Sequence, residues 1–177
     1  ANNYYYLEDW QNAIEYYTMV IELDPTQHQP YNWRCLSHGY LGDFESALED
    51  INMALELDPD NPGYLEQRAK AHEFLDNFEE AIADWSRFTE LVDDYPEAYY
   101  YLALNYRDIG NWEGMVEALT EALALDPDSY GYLYLRARAH DELGNSRECK
   151  LDYQRAYEIY PSLRELRKRR FYQTPPE

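Results

Sequence analysis

Residues 28–61 read HQPYNWRCLSHGYLGDFESALEDINMALELDPDN, and the grammar of this stretch decides the fold. Numbered as positions 1 to 34, it predicts a helix A from Gln29 to Leu41. Gly42 stops that helix, because glycine enters the left-handed conformation without steric cost. Asp43 follows as an N-cap, and helix B runs from Phe44 to Leu57. Pro59 then forbids continuation, since it lacks an N–H and clashes with the preceding turn. Ala47, Leu48, Ile51, Ala54 and Leu55 line one face of helix B at helical spacing.

The same grammar recurs along the chain. Leu-Asp-Pro occurs at 23–25, 57–59 and 125–127, and Ile159-Tyr160-Pro161 keeps the phase, so the period is 34 residues; the missing member falls at Asp93. The turn between helices reads Gly42-Asp43, Asp76-Asn77, Gly110-Asn111 and Gly144-Asn145. An aromatic opens helix B at Trp10, Phe44, Phe78 and Trp112. Small residues recur at Cys35, Ala69, Ala103 and Ala137 in helix A, and at Ala13, Ala47 and Ala81 in helix B. A fixed period of this size means one supersecondary unit stacked on copies of itself. Helices are expected over 1–7, 10–23, 29–41, 44–57, 63–75, 78–92, 97–109, 112–125, 130–143, 146–160 and 162–171.

These residues resemble the tetratricopeptide repeat family. Tyr31, Cys35, Gly42, Asp43, Phe44, Ala47, Ala54 and Pro59 carry its pattern in one unit, and Tyr99, Ala103, Tyr106, Gly110, Asn111, Trp112, Ala122 and Pro127 in another. The resemblance implies an all-α, right-handed superhelical solenoid of antiparallel helix pairs. It covers residues 1–163, as an incomplete repeat at 1–27 and full repeats at 28–61, 62–95, 96–129 and 130–163. Residues 164–177 are expected to form a basic C-terminal capping helix and tail, with Leu163 and Leu166 covering the last repeat. Some residues depart from the family pattern. Arg34, Arg68 and Arg136 stand at position 7, where the family usually has leucine; Phe88 and Met115 overfill small sites, and Ser146 and Cys149 weaken the fifth unit. Ala1 already stands at position 8, so a fragment of a longer array is expected, with Ile14, Tyr17 and Ile21 exposed on its incomplete first unit.

The 177 residues carry a net charge of −20, and the charge is uneven. The last fourteen residues hold five cations and two acids; the preceding 163 hold ten and thirty-three. An acidic body lacks the basic footprint that nucleic acid requires. No run approaches the ~18 apolar residues of a membrane span, and no secretory leader is visible. Two cysteines, three repeats apart, do not make a disulfide scaffold. A cytoplasmic location is the expectation.

Candidate chemistry is weak throughout. His38, His72 and His140 share position 11, yet equivalent positions sit on separate helices ~10 Å apart, too far to converge on one metal ion. His72-Glu73 begins a zinc-protease helix motif, but Asp76 replaces the second histidine. The loop from Asp58 resembles a calcium loop, except that Pro62 takes a ligand position and Ala69 stands where a bidentate glutamate is needed. No metal, cofactor or enzymatic activity is expected. Arg167-Lys168-Arg169-Arg170 reads first as a solvated helix end, and second as an address or anionic-surface patch.

The family resemblance implies a groove lined by helix A. Carried onto this chain, it comprises Tyr5 and Tyr6; Asn32, Leu36 and Tyr40; Glu66, Lys70, Glu73 and Phe74; Tyr100, Leu104 and Arg107; and Tyr134, Arg138 and Asp141. Co-chaperone members of the family clamp acidic chaperone tails with lysine, arginine and asparagine. Trp33, Gln67 and Gly63 stand at positions that would need such residues, so that role is rejected. The leading expectation is a protein-interaction scaffold that binds a basic or neutral peptide or helix through rigid aromatics, with the exposed charges pairing locally. The alternative is a structural spacer or self-assembly module, with self-association through the incomplete first repeat.

Overall fold

The computed structural model describes residues 9–163; the helix expected over 1–7, Tyr5, Tyr6 and the basic tail from 164 lie outside the described residues. Within them the chain is all-α, with no strand. Its helices are α1 Trp10–Leu23, α2 His28–Leu41, α3 Phe44–Leu57, α4 Pro62–Phe74, α5 Phe78–Leu91, α6 Pro96–Asp108, α7 Trp112–Leu125, α8 Tyr130–Glu142 and α9 Ser146–Ile159. Each begins and ends within one residue of its expected bounds.

The chain divides into two compact units, Ala1–Asp93 and Asp94–Glu177. In the first, α1 to α5 pack each on the next; in the second, α6 to α9 do the same. The turns explain this order. Gly42, Gly110 and Gly144 adopt φ of 80°, 74° and 74°, and Asp76 takes the same region at 56°. In each turn the position-16 N–H then donates back to the position-11 carbonyl, as Asn77 does to His72 at 2.9 Å and Asn145 to His140 at 2.8 Å. These bonds satisfy carbonyls that the helix end leaves orphaned. The next helix starts at once. Asp43 accepts from the Ser46 N–H at 3.1 Å, and Asn111 from the Gly114 N–H at 2.9 Å.

Position 11 itself explains the three histidines. His38 Nδ1 lies 3.3 Å from Asp43, His72 Nδ1 3.5 Å from Asn77, and His140 Nδ1 3.4 Å from Asn145. Each histidine latches the turn that follows it. Burial pushes His72 below its ordinary pKa. In the fourth repeat Tyr106 replaces histidine, and its ring fills the space beside Gly114. A Cβ built there would stand 2.8 Å from Tyr106 Cδ1.

The core follows the 34-residue register. Positions 20, 24 and 27 of helix B are buried in every full repeat, for example Ala47, Ile51 and Ala54, or Ala81, Trp85 and Phe88. Tyr17 shares position 24 with Ile51 and Trp85, and it is buried at 5% exposure. The expectation that Tyr17 is exposed therefore fails, because helical register turns it inward with its counterparts. The exposed apolar side chains of α1 are Tyr16, Met19 and Leu23 instead. Phe88 and Met115 fit their sites, at 5% and 1% exposure.

The arginines at position 7 are clamps. Arg34 donates through Nε and Nη2 to Asp50, at 2.8 and 2.6 Å. Its Nη1 donates to Thr18 Oγ1, on the helix before, at 2.9 Å. Arg68 treats Asp84 and Asn52 in the same way, and Arg136 treats Asp152 and Thr120. Each guanidinium thus joins helix B of its own repeat to helix B of the preceding one. Asp50, Asp84 and Asp152 are buried. The hydrogen bonds to Asp50 and Asp84 hold Arg34 and Arg68 above the ordinary arginine pKa. The fourth repeat carries Leu102 and Ala118 at the two clamp positions, both buried.

Candidate functional site

In the first unit, the aromatic that opens helix B meets an aromatic from the last turn of the next helix A. Trp10 stacks on Tyr40 with ring centroids 4.2 Å apart and planes 8° from parallel. Phe44 stacks on Phe74 at 4.1 Å and 6°. The two pairs are related by the repeat, at positions 17 and 13. They place rigid rings at the surface, because an offset stack fixes each side chain against its partner. Tyr40 remains 59% exposed and Phe74 67%. The same positions in the second unit hold Trp112 and Glu142, so the pattern of paired rings belongs to the first unit.

Between the pairs lies a pocket of about 380 Å³. Leu36, Gly39 and Tyr40 line it from α2, Phe44 from α3, and Lys70, Ala71 and Phe74 from α4. Cys35 sits at its base, 4% exposed, and burial pushes the thiol up to about 12. Four groove residues expected from the family pattern, Leu36, Tyr40, Lys70 and Phe74, meet in this one pocket. The rim charges have partners. Lys70 Nζ is 2.6 Å from Glu66 Oε1, and Glu73 accepts a 2.8 Å hydrogen bond from the Trp85 indole N–H. Asn32 is half-buried, and its Oδ1 finds no hydrogen-bond partner among the described residues.

In the second unit the expected residues do not converge. Tyr100 contacts Tyr101 and Tyr132, with centroids 5.5 and 5.7 Å away. Tyr134 packs edge-on to Tyr153 and joins the Leu123, Leu133 and Ala156 cluster. Leu104 is half-buried, and Arg107 pairs with Asp108 at 2.8 Å. Arg138 is exposed. Asp141 borders a separate hollow of about 600 Å³ on α9, whose lining mixes Lys150 and Glu158 with Cys149, Tyr153 and Tyr157. That hollow is larger and mixes charged with apolar side chains, whereas the pocket of the first unit combines an apolar floor with flat aromatic walls. Among the described residues no group of acids, histidines or cysteines could hold a metal ion, and no helix is long and apolar enough to cross a membrane.

Two features escaped sequence reasoning. Trp10 and Phe44 entered as helix openers, not as the supports of Tyr40 and Phe74. Glu73 entered as a contact for a basic ligand, whereas Trp85 holds it. The stacking had a visible signal, since aromatics stand at both position 17 and the following position 13 at Trp10/Tyr40 and Phe44/Phe74.

Three family models, each described as tetratricopeptide repeat, match residues 1–26 with 97–129, residues 34–85 and residues 130–163. No curated protein matches by sequence. Among solved structures the chain is similar to MamA, at 21% identity over 92% of this chain and 95% of that one, with a TM-score of 0.81. It is similar to MamA 41-end from Desulfovibrio magneticus RS-1, at 18% identity over 98% and 93% and a TM-score of 0.75. It is also similar to YrrB, described as a TPR protein with an unusual peptide-binding site. There the identity is 16% over 90% and 82%, and the TM-score is 0.80. Likeness at these identities concerns the fold.

Proposed function

Because the chain belongs to the tetratricopeptide repeat family, we propose that it is a non-enzymatic protein-interaction scaffold that binds a peptide or partner helix, basic or neutral in charge, on its A-type helices. The observation that carries this reading is the apolar pocket of the first unit, walled by Tyr40, Phe44 and Phe74. Concave apolar sites with few polar groups are where ligands bury surface. YrrB, of the same fold, has a peptide-binding site. The net charge of −20 draws basic partners by long-range attraction and disfavours acidic ones.

Panning the chain against a random peptide library tests this. Basic or neutral sequences should be enriched, with association slowed by added salt. Enrichment dominated by acidic sequences, or none at all, would overturn it. Met19 and Leu23, exposed on α1 at 56% and 86%, favour the second reading, a module that associates with copies of itself. Light scattering across a concentration series decides that reading: a constant monomer mass excludes it.

A further inference from the structure

We propose that the pocket of the first unit is an aromatic-anchor slot: it takes one tryptophan, tyrosine or phenylalanine side chain from a partner peptide whose neighbouring residues are neutral or basic. This deepens the scaffold reading and rests on it. The walls are flat. Tyr40 is braced by Trp10 at 8° from parallel, and Phe44 and Phe74 brace each other at 6°. An incoming ring gains offset or edge-on contacts with them beyond the area it buries, which a branched aliphatic chain does not. The walls are also ordered before binding, so their immobilisation is not charged against affinity.

The floor selects by size. Leu36, Gly39 and Ala71 keep it open, and a Cβ at Gly39 would meet nothing within 4 Å. A volume of about 380 Å³ is far more than a methyl or isopropyl group fills. The rim selects by charge. Lys70 lines the slot, so a cation inserted there would face an ammonium group. Glu66 neutralises Lys70 at 2.6 Å, and an inserted carboxylate would therefore compete with a bond already made. Glu73 is engaged by Trp85. An uncharged ring is the side chain that fits, and the basic preference belongs to its flanks, set by the acidic body.

A positional-scanning peptide library with lysine and glycine flanks, read by fluorescence anisotropy, tests the slot. One position should prefer Trp, Tyr or Phe over Leu and Lys by tenfold or more. Tyr40→Ala and Phe74→Ala should each remove most of that preference. Gly39→Leu, which plugs the slot and leaves both stacks standing, should remove it too, while circular dichroism stays unchanged. Leu151→Ala, on the exposed face of α9 in the second unit and outside the expected groove, should have no effect. Binding without any aromatic preference, or a preference that survives Gly39→Leu, overturns the slot but leaves the scaffold. Absence of binding at every position overturns both. Aromatic-selective binding that appears only after residues 1–8 are deleted assigns the slot to the chain's own tyrosines, and also overturns the proposal.

Discussion

Arg68 and Asp84 stand sixteen residues apart and meet as a two-pronged pair, Nε to Oδ2 at 2.8 Å and Nη2 to Oδ1 at 2.6 Å. Asp84 is only 4% exposed, so its charge depends on that guanidinium. Removing one partner of a buried ion pair costs about 3–5 kcal/mol, whereas replacing both by apolar groups is often neutral. The fourth repeat already shows the apolar version as Leu102 and Ala118. Urea unfolding should therefore show Arg68→Leu destabilised by about 3–5 kcal/mol and Arg68→Leu/Asp84→Ala restored to within about 1–2 kcal/mol of the parent. A double variant no better than the single one would show that the pair is worth more than its apolar substitute.

Gly114 is the tightest glycine of the chain. Its missing Cβ would stand 2.8 and 2.9 Å from the base of the Tyr106 ring, which has no free end to swing away. Gly114→Ala should cost about 1–3 kcal/mol by overpacking. The repeats with histidine at position 11 carry Ser46, Glu80 and Glu148 at the position of Gly114. Adding Tyr106→His to Gly114→Ala should accordingly recover most of the lost melting temperature. No recovery would place the strain elsewhere.

His72 is held below its ordinary pKa, first by burial, with Arg68 lowering it further and Asp84 and Glu80 opposing. The unfolded chain thus binds a proton more readily than the folded one. Its contribution to stability is complete above the unfolded value of about 6.5 and is lost as pH falls through the lower folded value. Unfolding free energy measured from pH 7.5 to 5 should decline, and His72→Gln should flatten the decline. Asp24 and Asp43, also lowered, act only below their ordinary value of 3.8. An unaltered slope in His72→Gln would rule out this histidine as the source.

Cys35 is 4% exposed, and burial pushes its thiol up to about 12. Thiolate is the reactive form, so at pH 8 the native thiol should be nearly inert. In a Cys149→Ser background, Ellman's reagent should modify Cys35 at least tenfold more slowly in buffer than in denaturant. Comparable rates would mean that the base of the aromatic slot opens to solvent.

The helices were legible because their punctuation is local. Gly42, Asp43 and Pro59 each act within a turn of their own position, and the 34-residue period repeats the statement. The long-range pairings were harder. Arg34, Arg68 and Arg136 looked like departures from an apolar site, although Asp50, Asp84 and Asp152 accompany them sixteen residues later. Leu102 and Ala118 change together in the remaining repeat. Aligning the repeats against one another exposes that covariation; matching each to a family pattern hides it. Within the candidate site, exposed and half-buried aromatics were legible by position. Which ring leans on which was not, since Trp10 and Tyr40 lie thirty residues apart on different repeats. The partner of Glu73 was hidden for the same reason: Trp85 lies twelve residues on, on the next helix.

The third hydrogen bond of each arginine makes these repeats poor interchangeable cassettes. Arg34, Arg68 and Arg136 reach back to Thr18, Asn52 and Thr120, so each needs an acceptor in whichever repeat precedes it. A leucine repeat such as 96–129 imposes no such demand. Anyone duplicating, deleting or reordering these segments therefore faces a rule of neighbourhood. An arginine repeat follows only a repeat with Thr, Asn or a similar oxygen at position 25, and a leucine repeat is the joint at which unrelated segments can be spliced.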